Sequence, residues 1–213
     1  MGSVTTAAFA RRFHGLYVLA DPGYGAFSPG RLEAALRAGV CAVQYRDKRR
    51  EAAIADVRRA RALCHDYRVP FLVNDDPYLA RALAADGVHL GRDDMRPAKA
   101  RDLLGDEAVI GVSCYDDLVC ARAAVTDGAD YVAFGSFFPS RTKPEASPCA
   151  PELLASARSE LTVPIVAIGG ITPQNGGLLL RAGADVLAVT EGVFAAASIE
   201  EAVRQYAALF QER

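Results

Sequence analysis

The chain has 213 residues, 51% of them hydrophobic and 23% charged, which is ordinary globular composition with length for one sizeable core. Lysine and arginine number 24 against 26 acidic residues, a net charge of −2, so no general affinity for nucleic acid or an acidic membrane surface is expected. No apolar run approaches the ~20 residues of a membrane helix, the first residues lack a signal peptide's apolar stretch, and five scattered cysteines form no C-x-x-C pair. A cytoplasmic protein with free thiols is the expectation.

Residues 1–14 read as a short leader, and 15–213 as a single domain. Short β-rich apolar runs follow at 16–19, 42–46, 71–74, 87–90, 109–112, 131–134, 165–168 and 186–189. Stretches rich in Ala, Leu and Arg separate them, among them helices over 31–38, 51–67, 116–126 and 199–211. Strict strand-then-helix alternation predicts a parallel sheet. Eight such units in this length predict a closed (β/α)8 TIM barrel rather than an open doubly wound sheet. A repeat supports the count. Gly39, Gly87, Gly128 and Gly183 precede strands two, four, six and eight, as left-handed caps of the helices before them. Pro70 and Pro164 instead lead into strands three and seven, where a proline costs no ladder bond.

Barrels of this kind carry their chemistry at the C-terminal ends of the strands. After strand two, Gln44, Arg46 and Lys48 share parity and so one face, an amide and two cations suited to a polar ring and a phosphate. The alternative is a solvated strand end. After strands three and four come Asn74-Asp75-Asp76 and Arg92-Asp93-Asp94. Asp75 and Asp94 could share one cation, and Mg2+ is commonly held by one or two carboxylates plus substrate phosphate and water. Asp76, followed by Pro77, reads as a helix N-cap, and Asp93 as its partner's outward neighbour. His89 fits a satisfied core histidine as well as a substrate contact. Ser113 ends strand five with a hydroxyl available to a phosphate. Residues 135–151, with four prolines, Ser140, Thr142 and Lys143, read as a lid over an anion. Gly169-Gly170 after strand seven and Thr190-Glu191 after strand eight suit a phosphate cup of backbone N–H groups. The sum is a metal-bound diphosphate facing a separate monophosphate.

In their order, Gln44-Tyr45-Arg46-Asp47-Lys48, Asn74-Asp75-Asp76, Asp86-Gly87-Val88-His89-Leu90-Gly91, Ile110-Gly111-Val112-Ser113, Tyr131-Val132-Ala133-Phe134-Gly135 with Thr142-Lys143-Pro144, and Ile168-Gly169-Gly170-Ile171-Thr172 resemble the thiamine-phosphate synthase family. Single motifs are loose; the set, spanning roughly 15–210, is specific. The resemblance implies a transferase using Mg2+ on Asp75 and Asp94. Gln44 and His89 would lie near an aminopyrimidine. Arg46, Lys48, Asn74 and Lys143 would hold its diphosphate, with Ser113 nearby. Ser140, Thr142, Gly169, Gly170, Thr190 and Glu191 would hold a thiazole phosphate. Two departures stand out. Ser140 replaces a common threonine, and Glu191 falls where a neutral residue is usual, so its carboxylate is expected to turn away from the phosphate. The implied partners are two small-molecule phosphates, with neither nucleic acid nor membrane; a homo-oligomer is compatible with the sequence. Two rivals are a thiazole tautomerase-like homologue, which would not need the diphosphate cations and metal carboxylates, and a non-catalytic phosphate-binding barrel.

Overall fold

The computed structural model describes residues 9, 13–28, 30–49, 52–139 and 149–211. Eight strands run in chain order: β1 (Gly15–Ala20), β2 (Ala42–Tyr45), β3 (Phe71–Asn74), β4 (Gly87–Leu90), β5 (Val109–Tyr115), β6 (Tyr131–Phe134), β7 (Ile165–Ile168) and β8 (Val186–Val189). All neighbours pair in parallel, and β8 pairs with β1 to close the barrel. The helices are α1 (Arg31–Arg37), α2 (Ile54–Asp66), α3 (Pro77–Leu83), α4 (Pro97–Leu104), α5 (Leu118–Thr126), α6 (Glu152–Glu160), α7 (Gly176–Ala182), the short α8 (Glu191–Phe194) and α9 (Ile199–Ala208). Among the described residues, no helix is long and apolar enough to cross a membrane.

Strand alternation divides the core in two. Outward residues such as Val18, Val43, Val73 and Ile110 pack beneath the helices. Inward residues such as Tyr17, Leu72, Tyr131 and Val186 fill the lumen, as a period of two requires. Phe9 and Phe13, both 2% exposed, sit at the lower end of the lumen. Their rings stack at 4.5 Å, and Phe13 lies 4.8 Å from the Tyr131 ring. Both belong to the stretch read as a leader.

A hydrogen-bonded staple underlies the paired rhythm of the repeat. Asp86, Asp130 and Asp185 stand just ahead of β4, β6 and β8. Their carboxylates accept from the backbone N–H of Phe71, Ile110 and Ile165 at 2.8, 2.7 and 2.9 Å. Their own N–H groups donate back to the carbonyls of the same three residues. Arg101 and Arg158 neutralise two of these carboxylates at 2.7 and 2.9 Å. In the first quarter Cys41 holds the corresponding place, making the backbone bond to Leu16 alone.

Of the four repeat glycines, Gly39, Gly128 and Gly183 have positive φ beyond helix ends. Gly87 does not. It is the first residue of β4, where a Cβ would lie 1.9 Å from the Val109 carbonyl oxygen, and the left-handed residue ending α3 is Ala84. Close strand approach, not helix capping, selects glycine at 87. Strand five also runs three residues past its expected end, to Tyr115, with a register shift between Ser113 and Tyr115.

Candidate active site

One cavity of about 730 Å³ opens at the C-terminal ends of the strands. Gln44, Arg46, Lys48, Asn74, Asp75, His89, Asp94, Ser113, Gly169, Gly170, Thr190 and Glu191 all line it. The fold therefore brings together every expected site residue that is described. Ser140, Thr142 and Lys143 lie outside the described residues.

The acidic side is built by the exits of β3 and β4. Asp75 adopts a left-handed backbone (φ 65°), which aspartate tolerates better than most residues. Its N–H donates to the His89 carbonyl at 2.7 Å, tying the two exits together. Asp76 faces the other way and caps α3, accepting from the Leu79 N–H at 2.9 Å. Asp94 Oδ2 accepts from the Gly91 N–H at 2.6 Å. Burial, opposed by that bond, and then the facing Asp75 carboxylate hold Asp94 above the ordinary carboxylate range, with Lys48 pulling the other way. Lys48 pairs with Asp75. Arg46 pairs at 2.9 Å with Asp21, whose other oxygen caps the turn after β1 by accepting from the Gly23 N–H. Among the described residues no group of three or more His, Cys, Asp or Glu is arranged to hold a metal. The candidate donors are this facing pair of carboxylates, the number Mg2+ takes when substrate phosphate and water complete its shell.

Deeper in the barrel lies a connected polar group. Gln44 Nε2 donates to the Tyr17 hydroxyl at 2.7 Å, and the Tyr17 and Tyr131 hydroxyls are 3.1 Å apart. Tyr131 meets His89 Nδ1 at 2.9 Å, and His89 Nε2 meets Ser113 Oγ at 2.9 Å. Burial lowers the His89 pKa to about 4, against a smaller upward pull from Asp75, so its ring is neutral at neutral pH. Burial also pushes both tyrosines above their ordinary range. Gln44 Oε1 is buried and has no hydrogen-bond partner among the described residues, an unsatisfied acceptor on a residue that lines the cavity.

The glycine side has a packing requirement of its own. Gly169 (φ 105°) and Gly170 (φ 60°) lie beneath the segment after β6. A Cβ would come within 2.0 Å of Ser136 Oγ at the first and 2.4 Å of the Pro139 carbonyl oxygen at the second. Asn175 Nδ2 donates to the Gly170 carbonyl at 3.1 Å and holds the turn.

Sequence reasoning did not single out Tyr17, Tyr131, Asp21, Arg92 or Tyr115. Tyr17 and Tyr131 have the same period as the leucines and valines around them, and only their hydroxyls, which need partners when buried, hint at more. The Arg92 guanidinium lies over the Tyr115 ring, 4.6 Å from its centroid, and both residues line the cavity.

The family model described as thiamine monophosphate synthase matches residues 16–193. A thiamine-phosphate synthase of Halorhodospira halophila is 55% identical over 183 residues, covering 84% of this chain and 86% of the relative. Another, of Acidithiobacillus ferrooxidans, is 50% identical over 190 residues, covering 86% and 87%. Among solved structures, thiamine phosphate pyrophosphorylase from Pyrococcus furiosus superposes with a TM-score of 0.81 at 31% identity, covering 95% of this chain and 98% of the other. With the closed barrel and the polar mouth already described, these likenesses make the chain a transferase belonging to the thiamine monophosphate synthase family.

Proposed function

We propose that this chain is a thiamine-phosphate synthase acting on 4-amino-2-methyl-5-hydroxymethylpyrimidine diphosphate and 4-methyl-5-(2-hydroxyethyl)thiazole phosphate, or the carboxylated tautomer of the latter. The products are thiamine monophosphate and diphosphate. The observation that carries this reading is the convergence on one cavity of two facing carboxylates, two cations held beside them and a glycine turn on the opposite wall.

The bond between the pyrimidine's exocyclic methylene and its diphosphate breaks, and the electron pair leaves on the diphosphate. The thiazole nitrogen supplies its own lone pair to the methylene carbon, so no strong general base is needed. The substitution is dissociative, through a pyrimidine carbocation. Arg46 and Lys48 supply fixed positive charge where negative charge builds on the leaving group, and Asp21 holds Arg46 in place beforehand. Lys143 and Asn74 are assigned to the same diphosphate, and Ser113 lends it a hydroxyl. The unpartnered amide oxygen of Gln44, on a residue lining the cavity, is assigned to the pyrimidine's amino group. Gly169, Gly170, Thr190 and the backbone of Glu191, with Ser140 and Thr142, are assigned to the thiazole phosphate, the Glu191 side chain turning outward. Holding both reactants in line supplies much of the remaining acceleration.

A divalent cation fits Asp75 and Asp94. The donors are hard oxygens, and burial together with the facing Asp75 carboxylate raises Asp94, a strain that a cation relieves. When bound, Mg2+ would add charge stabilisation for the departing diphosphate.

The test mixes both substrates with purified protein, with and without magnesium. Metal-dependent release of diphosphate with formation of thiamine monophosphate is expected. Isomerisation of the thiazole without metal would favour a tautomerase, and binding without turnover a phosphate-binding scaffold.

A further inference from the structure

We infer that Tyr131 is a positioning residue: it fixes which ring nitrogen of His89 carries hydrogen and thereby aims the Ser113 hydroxyl hydrogen into the cavity. The inference rests on the proposed function only for the identity of the anion that Ser113 meets.

The order of the hydrogens follows from one end of the series, the Gln44 amide with its nitrogen toward Tyr17; the bonds beyond it take their direction from that one. An amide nitrogen only donates, so Tyr17 accepts from Gln44. A phenol has one hydrogen to give, and that of Tyr17 goes to the Tyr131 oxygen. Tyr131 then has its own hydrogen left for His89 Nδ1. Since Nδ1 accepts, the neutral ring carries its hydrogen on Nε2, which donates to Ser113 Oγ. With Oγ already accepting from the ring, the serine hydrogen is free to point at an anion. Gln44 is 2% exposed, His89 8%, Tyr17 1% and Tyr131 0%, so bulk water does not compete for these bonds.

The strand register makes room for this arrangement. His89, Gly111 and Tyr131 are aligned across β4, β5 and β6. Gly111 has no side chain, so the Tyr131 ring crosses β5 and stacks on His89, centroids 5.6 Å apart at 23°. A Cβ at 111 would lie 2.0 Å from Tyr131 Cζ. A phenylalanine would fill the same space; the hydroxyl, bonded on both sides, is what filling the space does not require. Tyr131 itself does not line the cavity, so its effect on the reaction passes through His89.

The experiment is nitrogen NMR on the full chain labelled at its three histidines, the His89 signals being assigned with His89→Gln. Hydrogen on Nε2 and a bare Nδ1 are expected at neutral pH. In Tyr131→Phe nothing holds Nδ1 as an acceptor, so the His89 nitrogen signals should move toward tautomer-averaged positions, with circular dichroism close to wild type and a melting temperature lowered by the two buried bonds lost. Coupling by that variant should fall about tenfold in kcat, the effect of one lost hydrogen bond, with KM for both substrates nearly unchanged. The loss should vanish in a Ser113→Ala background. Hydrogen on Nδ1 in the wild type, or a spectrum that Tyr131→Phe leaves unaltered, overturns the inference. If the wild type makes no thiamine monophosphate, the proposed function fails, while the spectra still decide the positioning role.

Discussion

Asp75 and Asp76 are adjacent in sequence and opposite in duty. Asp75 turns into the cavity on a left-handed backbone, whereas Asp76 is consumed by its cap on α3. Asp75→Ala is expected to abolish coupling and also to cost about 1 kcal/mol, since alanine tolerates the left-handed backbone less well than aspartate. Asp76→Ala should retain activity and lose about 1 kcal/mol, as a helix without its N-cap does; activity assays run beside urea melts separate the two. His89 gives a pH-dependent prediction. Its pKa falls from 6.5 to about 4 on folding, so between those values the unfolded chain binds a proton that the native chain refuses. Stability is complete above that window and is lost as pH falls through it, by roughly 3 kcal/mol. His89→Gln should flatten that slope in denaturation curves measured between pH 4 and 7. The strand-end acids and cations were legible in the sequence because charged residues are conspicuous beside apolar runs. Tyr17 and Tyr131 were not, because their partners lie on other strands, and an unremarkable glycine at 111 acquires meaning only once its register between His89 and Tyr131 is known.

At the scale of elements, apolar alternation predicted all eight strands, and closure follows from their number and parallel order. The ends drifted where local and long-range preferences compete. The fifth strand is expected over 109–112 with Ser113 at its end, yet pairing with β6 carries it on to Tyr115 with a bulge. Gly87 read as a cap because its neighbours match the other three glycines, while the selecting contact comes from Val109 on the next strand. The reason for the two-strand rhythm was equally hidden, since an aspartate ahead of a strand looks like an ordinary turn residue. Asp130→Ala tests it. Removing that carboxylate leaves the Ile110 N–H without its acceptor and Arg101, still bonded to the Asp106, Ala108 and Gly128 carbonyls, without its counter-charge, and a loss of about 2 kcal/mol is expected. Faster hydrogen exchange at the Ile110 amide, read by NMR, would localise the damage to the staple.

For the whole molecule, the facing carboxylates at the mouth would link the proposed metal binding to stability. Asp94 has its pKa raised in the folded state, so the native protein holds its proton to higher pH than the unfolded chain does, and metal-free stability declines as pH rises through that range. Magnesium should therefore raise the melting temperature at neutral pH. Asp94→Asn should melt no lower than the metal-free wild type and ignore added magnesium, as differential scanning calorimetry would reveal. Phe9 and Phe13 govern traffic of another kind. By stoppering the foot of the lumen against Tyr131, they make the barrel a flask whose neck, among the described residues, serves both arrival and departure. If the proposed function holds, reactants sharing one doorway would queue: the pyrimidine proposed to sit against Gln44 and His89 would enter ahead of the thiazole, and the joined product would leave behind the diphosphate. Product-inhibition kinetics should accordingly find thiamine monophosphate competing with the pyrimidine substrate and not with the thiazole.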